Sequence, residues 1–240
     1  MLVESGRAKV GDIERWHSST KTDAVLCGLR KFELQERRAL EELDVFLKSG
    51  GYVGVSWGKD SLTVAHLAWR VNPGARVAYF PAGQAEMPEC FEVRDRFLAA
   101  HKSVDYVEIE AAAAEFFFEG HDGAQRDFER ASRSLGKRYV SGVRAAEPGM
   151  RRLRMRKWGL SSPNTCAPIG WWSADDVFAY LFKYDLPVHP AYSFSLFGSK
   201  NRDRLRVGTI GGYRGREWGR REWEEAYYPD VLRRIGLWHS

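Results

Sequence analysis

Cysteine is scarce in this chain. Its 240 residues include three cysteines, Cys27, Cys90 and Cys166, which lie far apart in the sequence. An odd and isolated set of this kind indicates neither a disulfide framework nor a Cys-x-x-Cys metal site. A four-cysteine iron–sulfur cluster needs more thiolates than these three, so we expect no iron–sulfur cluster from this chain alone.

Long apolar runs and low-complexity tracts are also missing. No apolar run approaches the roughly 20 residues that span a bilayer. The first residues lack the basic region and apolar core of a signal peptide. With 44% hydrophobic and 13% aromatic residues, the chain has the composition of a packed globular protein. We therefore expect a cytoplasmic protein without a membrane partner.

Charge is unevenly distributed along the chain. The formal net charge is +5, from 37 Lys and Arg against 32 Asp and Glu. Residues 200 to 221 contain eight Lys and Arg, against Asp203 and Glu217 as the acidic residues. This basic segment predicts contact with an anion. The anion is either the phosphate chain of a nucleotide or a nucleic acid, on whose bases Tyr213 and Trp218 would stack.

The order of segments predicts an N-terminal arm followed by one domain. Residues 1 to 22 are polar and show no clear period, so we expect a loosely ordered arm, which we extend to residue 28. From Leu29 to Lys48, apolar residues recur mostly at three- and four-residue spacings, as in an amphipathic helix. Residues 29 to 240 suffice for one α/β domain, which ends in a basic segment over residues 200 to 240.

Buried strands alternate with helical stretches in the first half of this domain. The predicted strands are Tyr52–Val55, Arg76–Phe80, Val104–Ile109 and Lys137–Val143. The predicted helices are Leu62–Val71, a helix that starts at Pro88–Glu89, and Ala111–Phe118. This alternation predicts a three-layer α/β/α sandwich around a doubly wound, mostly parallel sheet.

A polar turn from Ser56 to Ser61 follows the first strand directly. Gly58 lets the backbone approach a ligand, the two serines offer hydroxyls, and Lys59 supplies a cation. The helix that begins here presents unpaired N–H groups and the positive end of its dipole. These features predict a cradle for phosphate or sulfate. Three residues rather than four separate Gly54 from Gly58, so the turn is not a Walker A loop; the alternative is an ordinary capped strand-to-helix turn.

The turn resembles a known nucleotide-binding motif. Ser56–Trp57–Gly58–Lys59–Asp60–Ser61 is similar to the PP-loop, Ser-Gly-Gly-x-Asp-Ser, of the ATP pyrophosphatases and of the phosphoadenosine phosphosulfate (PAPS) reductase family, with Trp57 in place of a glycine. Further similarities to that family are Gly142-x-Arg144-x-x-Glu147 after the fourth strand, Pro168–Ile169 with Trp172, Leu186 to Tyr192, and Arg206–Val207–Gly208. Together these matches span about two thirds of the chain.

A second turn of interest follows the second strand. Residues Pro81 to Glu86 resemble the Asp-Thr-Gly-like turn of the family, with Pro81–Ala82 in place of Asp-Thr and Gly83 matching the glycine. Ligands of doubly wound sheets lie outside the carboxyl ends of the strands. We therefore expect this turn to meet the adenine or ribose of a nucleotide.

The resemblance implies a set of site residues within an adenine nucleotide alpha-hydrolase-like fold. The implied catalytic residues are Lys59, Asp60 and Arg144, with Asp60 also a candidate Mg²⁺ ligand. The implied nucleotide-binding residues are Ser56, Trp57, Gly58, Lys59, Asp60, Ser61, Gly83, Gly142, Arg144, Glu147 and Arg206. The bound nucleotide is expected to be ATP or PAPS. The acceptor substrate is not specified by the sequence, and a homodimer is among the expected states.

Three functions are consistent with these residues. In the first, an acceptor attacks the α-phosphorus of ATP and pyrophosphate leaves, as part of a sulfur- or nitrogen-transfer reaction that needs no protein nucleophile. In the second, the protein reduces PAPS or its relative with a thiol from Cys166 or an external partner. Reductases of the family carry a Glu-Cys-Gly tail, whereas no cysteine follows Cys166 here. In the third, the protein belongs to a nucleic-acid modification (sulfuration) system and contacts nucleic acid through residues 200 to 221.

Overall fold

A computed structural model describes residues 1–109, 134–146, 149–196, 198, 201–203, 205–211 and 219–238. The strands are β1 (Tyr52–Val55), β2 (Arg76–Tyr79), β3 (Asp105–Glu108), β4 (Tyr139–Val140) and β5 (Thr165–Cys166). The helices are α1 (Asp12–Leu26), α2 (Arg30–Leu47), α3 (Lys59–Val71), α4 (Glu89–Ala100), α5 (Gly149–Trp158), α6 (Ala174–Lys183), α7 (Arg220–Tyr227) and α8 (Pro229–Arg234). Short 3₁₀ turns cover Gly83–Ala85 and Pro190–Tyr192.

The five strands form one parallel sheet in the order β3-β2-β1-β4-β5. Val53 of β1 lies opposite Val77 of β2 on one side and Val140 of β4 on the other. All three valines are fully buried, as expected for a parallel sheet covered on both faces. The predicted three-layer α/β/α sandwich with a parallel sheet is confirmed.

The connections between strands decide which face each helix covers. The chain steps from β1 through β2 to β3 in one direction across the sheet, and from β4 to β5 in the other. Since crossovers between parallel strands are right-handed, α3 and α4 lie on one face and α5 on the opposite face. The direction reverses between β1 and β4, and such a switch point is where doubly wound sheets bind ligands.

The predicted strands agree with the structure for β1, β2 and β3 and differ at the far side of the sheet. The fourth predicted strand, Lys137–Val143, is a strand only at Tyr139–Val140, because the chain leaves the sheet at Ser141 to reach the site. The two-residue strand β5 was not predicted, since two residues are too few to show a period. The predicted helix Ala111–Phe118 lies outside the described residues.

The loosely ordered arm expected over residues 1 to 22 is wrong, because most of α1 lies in this stretch and packs on α6. The buried residues of α1 are Asp12, Trp16 and Asp23. Asp23 accepts two hydrogen bonds from the Arg202 guanidinium, at 2.6 and 2.7 Å. Two of the three buried residues are aspartates, so the spacing of apolar residues in the sequence does not reveal which face of α1 is buried.

No helix in the described ranges is long and apolar enough to cross a bilayer.

A buried carboxylate holds α3 in place against α2 and α6. Glu36 of α2 is 5% exposed and accepts hydrogen bonds from Arg70 of α3, from Lys183 at 2.8 Å and from Tyr184. Burial raises the pKa of Glu36, but these three donors outweigh it, so the pKa lies below its usual value of 4.5. The Ser56–Ser61 turn leads into α3. The hydrogen bonds of Glu36 therefore also help to fix the position of this turn.

We predict that Glu36→Gln lowers the free energy of unfolding by about 2 kcal/mol at pH 7, the size of one hydrogen bond to a charged group. A carboxyl whose folded pKa is lowered stabilises the protein above its unfolded pKa and loses this effect as pH falls through the folded value. The difference from wild type should therefore be full at pH 7 and shrink below about pH 4. Urea unfolding at several pH values measures it, with the exposed Glu41→Gln on the same helix as the control. An equal difference at pH 7 and pH 3.5 would contradict the prediction.

Candidate functional site

A cavity of about 860 Å³ lies at the switch point between β1 and β4. Its described wall comes from these two strands, the turns that follow them, α5, and the segments around Tyr192 and Arg206. Seven of the eleven predicted nucleotide-binding residues line it, namely Ser56, Gly58, Lys59, Asp60, Ser61, Gly142 and Arg206. The fold thus gathers residues that are 150 positions apart in the sequence at one edge of the sheet.

The remaining four predicted residues do not line the cavity among the described residues. Trp57 and Arg144 are buried next to its wall, with 0% and 4% of their surfaces exposed. Gly83 lies in the 3₁₀ turn after β2, which packs against α8. Glu147 lies outside the described residues.

Ser61 fixes the shape of the turn. Its hydroxyl oxygen accepts the N–H of Ser56 at 3.1 Å, and the hydroxyl donates to the carbonyl of Gly58 at 3.2 Å. The two serine hydroxyl oxygens lie 3.3 Å apart. Both serines are therefore involved in holding the turn closed as well as facing the cavity.

Tyr192 covers the turn from a distant part of the chain. Its hydroxyl accepts the N–H of Lys59 at 2.9 Å, which satisfies one of the unpaired donors at the start of α3. A Cβ on Gly58 would lie 3.1 Å from the Tyr192 hydroxyl and 3.4 Å from the Cβ of Val207. This close approach, rather than an unusual backbone angle, explains the glycine. Sequence spacing gives no sign that Tyr192 reaches the turn.

Gly142 presses against the first turn of α3. A Cβ at this position would lie 2.7 Å from the carbonyl carbon of Asp60 and 2.9 Å from the nitrogen of Ser61. These neighbours are backbone atoms and cannot move aside cheaply. The loop after β4 can therefore reach the helix start only with glycine here, and this contact brings Arg144 to Asp60.

Asp60 bridges two buried cations. Its Oδ2 accepts from Lys59 Nζ at 2.8 Å, and its Oδ1 accepts from Arg144 Nε at 2.6 Å. Lys59 and Arg144 are each 4% exposed. Arg144 also donates to the carbonyl of Trp172 at 3.4 Å. The three side chains carry one net positive charge, as a site for an anion requires.

Burial and nearby charges set the pKa of Lys59. Burial lowers the pKa of Lys59, and the Asp60 carboxylate opposes this shift, with a weaker opposing effect from Asp203. Burial and the Asp175 carboxylate raise the pKa of Asp203. The ammonium of Lys59 thus depends mainly on Asp60 for its charge, because it has little contact with water.

The residues around Asp60 do not fit a metal ion. Both of its carboxylate oxygens are engaged by cations, and a divalent ion there would meet the like charges of Lys59 and Arg144. Within the described ranges, no group of three or more His, Cys, Asp or Glu side chains is arranged to hold a metal. The residues around Asp60 therefore do not provide the Mg²⁺ site that the resemblance implies.

The cysteines are not part of the described cavity wall. Cys90 and Cys166 have 0% and 1% of their surfaces exposed. Burial raises the pKa of Cys166 to about 11 and raises the pKa of Cys90 as well. Cys27 follows α1 and is half-buried. None of the three is among the described lining residues.

The basic segment from 200 to 221 is partly neutralised within the protein. Arg202 pairs with Asp23, Arg220 with Glu224 and Arg221 with Glu225. Arg206 lines the cavity. Lys200, Arg204, Arg214 and Arg216 lie outside the described residues, as do Tyr213 and Trp218.

Trp57 occupies an unusual position in the turn. Its φ of 56° lies in the left-handed region, which costs a residue with a side chain roughly 1–2 kcal/mol. Its ring is fully buried, and the ring centroid lies 5.7 Å from that of Phe97 and 6.0 Å from that of Tyr79. Core packing therefore compensates for the strained backbone, and the indole lies beneath the turn rather than in the cavity.

The chain was compared with known proteins. Residues 52–240 match the family model described as phosphoadenosine phosphosulfate reductase domain. No curated protein matches the chain. Among solved structures, the chain is similar to a phosphoadenylyl-sulfate (PAPS) reductase from Candida auris in a phosphate complex, with 15% identity and a TM-score of 0.49, covering 82% of this chain and 94% of that one.

We predict that Trp57→Gly is more stable than Trp57→Ala by about 1 kcal/mol. Both variants lose the buried ring, which costs about 3–5 kcal/mol, but glycine adopts the left-handed backbone without strain. Urea unfolding of both variants measures the difference. An exposed helical site gives the opposite order, because alanine favours helix over glycine; Glu41→Ala and Glu41→Gly on α2 supply this control. Alanine more stable than glycine at position 57 would contradict the prediction.

We also predict that Asp60→Asn destabilises the protein by about 3 kcal/mol, because it leaves two buried cations without their counter-ion. The control is Asp95→Asn, which removes an exposed partner of Arg94 and should cost less than about 1 kcal/mol. Thermal unfolding of both variants tests the contrast. Equal melting temperatures would mean that the Asp60 bridge does not stabilise the fold.

Proposed function

Because the chain belongs to the phosphoadenosine phosphosulfate reductase family and is a nucleotide-related enzyme of that family, we propose that it cleaves ATP at the α-phosphate. In this reaction an acceptor oxygen attacks the α-phosphorus, the bond from that phosphorus to the bridging oxygen breaks, and pyrophosphate leaves with the electron pair. The adenylylated acceptor is then open to attack by a sulfur or nitrogen donor. The observation that carries the proposal is the buried Lys59–Asp60–Arg144 bridge at the start of α3, in the wall of the switch-point cavity.

The turn from Ser56 to Ser61 is suited to the β- and γ-phosphates. Lys59 supplies a cation, and the first turn of α3 directs N–H groups and the positive end of its dipole toward the cavity. Negative charge accumulates on the pyrophosphate oxygens as the bond breaks, so groups fixed in advance around these oxygens lower the barrier. A volume of about 860 Å³ is within the usual range for small-molecule sites.

Asp60 and Arg144 hold Lys59 in place in this proposal. Arg144 is buried and reaches the turn through Asp60, so it is a positioning residue rather than one that contacts phosphate. Asp60 keeps Lys59 charged, since burial alone lowers the pKa of that lysine. A phosphate entering beside Lys59 replaces part of the stabilisation that Asp60 provides.

Reduction of a sulfonucleotide is the second candidate, and the family membership favours it. Two thiols would convert PAPS to adenosine bisphosphate and sulfite and would themselves form a disulfide. Cys166 is poorly suited to this step, because it is buried and its pKa is raised to about 11, which leaves little thiolate at neutral pH. The thiols would therefore come from an external partner.

We predict that Lys59→Ala lowers turnover of ATP to pyrophosphate about 10²- to 10³-fold, the usual effect of removing one group that stabilises a developing anion. The exposed Lys102→Ala serves as the control, since it lies at the end of α4 away from the cavity. Pyrophosphate release and calorimetric titration with ATP measure turnover and affinity. Unchanged ATP binding and turnover in Lys59→Ala would refute the phosphate cradle.

Separate incubations with ATP and with PAPS plus a dithiol, followed by mass spectrometry, distinguish the two candidates. AMP or an adenylylated product with pyrophosphate supports ATP cleavage. Adenosine bisphosphate with sulfite supports reduction and contradicts the proposal.

A further inference from the structure

A second cavity of about 540 Å³ lies beside β5, the edge strand of the sheet. One wall is the N-terminal half of α2, and the other consists of Leu160, Pro168, Trp171 and Trp172. We call it the Trp171 groove. It shares no described lining residue with the switch-point cavity, and nothing in the proposed function uses it.

Three cations line the α2 side of this groove. Arg30, Lys31 and Arg38 are exposed and form no ion pair with any other described residue. The buried Glu36 on the same helix is already engaged by Arg70 and Lys183. The described lining of the groove therefore contains three cationic side chains and no carboxylate, a composition suited to an anionic partner.

The two adjacent tryptophans have opposite environments. Trp172 is 4% exposed and lies among Phe32 and Tyr180 in the core. Trp171 is 48% exposed although it is part of the groove wall. An exposed indole beside cations is the arrangement that stacks nucleic-acid bases while the cations meet the phosphates.

Helix α5 extends this basic surface. Met155 and Leu160 pack on Gly170, where a Cβ would lie 2.9 and 2.6 Å from their side-chain atoms, so the helix is held directly beside Trp171. Its exposed residues include Arg152, Arg156 and Lys157. The segment from 149 to 158 contains no acidic residue. The positive charge of the groove thus continues along α5.

The same helix leads back toward the first cavity. Arg151, at its beginning, lines the switch-point cavity, as does Asn164 before β5. Arg154 donates a hydrogen bond to the Thr165 hydroxyl of β5. A strand that crosses α5 from the groove would therefore approach the opening of the proposed nucleotide site.

We propose that the Trp171 groove, together with the exposed face of α5, binds single-stranded nucleic acid. Arg30 and Arg38 are eight residues apart on one helix, about 12 Å at 1.5 Å per residue, which spans roughly three to four nucleotides when they are stacked at about 3.4 Å each. The Trp171 ring takes a base between these phosphate contacts. Three arginines of the segment 200 to 221, Arg202, Arg220 and Arg221, are already paired with carboxylates, whereas the cations of the Trp171 groove form no ion pair with another described residue.

The experiment measures fluorescence anisotropy of a labelled 12-nucleotide oligothymidylate with the full chain. Wild type should bind, and its association constant should fall about tenfold or more between 50 and 200 mM salt, as expected when about three phosphates are neutralised. The triple variant Arg30→Ala, Lys31→Ala, Arg38→Ala should bind at least tenfold more weakly, with a smaller salt dependence. Trp171→Ala should weaken binding by about fivefold or more, and Trp171→Phe should restore most of it, because phenylalanine also stacks.

The control triple variant Lys21→Ala, Arg37→Ala, Lys102→Ala removes the same charge from exposed positions outside the groove. It should bind like wild type apart from a small general effect. An equal loss in both triple variants would overturn the proposal, as would no binding at 50 mM salt. Displacement of the oligonucleotide by polyglutamate at equal charge concentration would also overturn it, since that result indicates a site for acidic proteins.

This inference is independent of the proposed function. Lys59→Ala should lose ATP binding and keep oligonucleotide binding, whereas the groove variants should keep ATP binding. The failure of one proposal is therefore distinguishable from the failure of the other.

Discussion

The bridge from Lys59 through Asp60 to Arg144 connects the two halves of the sheet. Lys59 and Asp60 begin α3 after β1, and Arg144 follows β4 on the other side of the switch point. The two buried cations share one carboxylate, so neither side chain can move far from Asp60. A cation that moved would lose its counter-ion in a place that water does not reach. The bridge forms only because Gly142 lets the β4 loop touch the backbone of α3. The missing side chain of Gly142 thus permits the ion pair between Arg144 and Asp60, on which the site depends.

Distant segments hold this contact in place. Tyr192 caps the start of α3 and Glu36 ties its later part to α2 and α6. Trp57 fills the core under the turn, and its packing outweighs the strain of its backbone. The first two contacts act on α3 itself, and the third acts on the turn before it. The turn is therefore fixed before any ligand arrives, which is the condition under which charged groups are most effective in stabilising an anion.

The distribution of positive charge separates two surfaces with different roles. In the wall of the switch-point cavity, Lys59 is buried and paired with Asp60, so a ligand that binds Lys59 must compete with that carboxylate. Along the Trp171 groove and α5, cations such as Arg30, Arg38 and Arg156 are exposed. Buried, fixed cations suit recognition of a small ligand at close range, and exposed cations suit a long polyanion bound with strong salt dependence.

The sequence by itself determined the order of elements from α2 to β3, the turn at Ser56–Ser61 and the family signatures, because buried strands, amphipathic helices and glycine turns leave local patterns. It did not reveal α1, whose buried residues Asp12 and Asp23 are charged, or β5, which is two residues long. Only the tertiary structure decided that Arg202, Arg220 and Arg221 pair with carboxylates, that Cys166 is buried, and that Trp171 is exposed while Trp172 is not. These outcomes depend on contacts between residues far apart in the chain, and no local pattern encodes them.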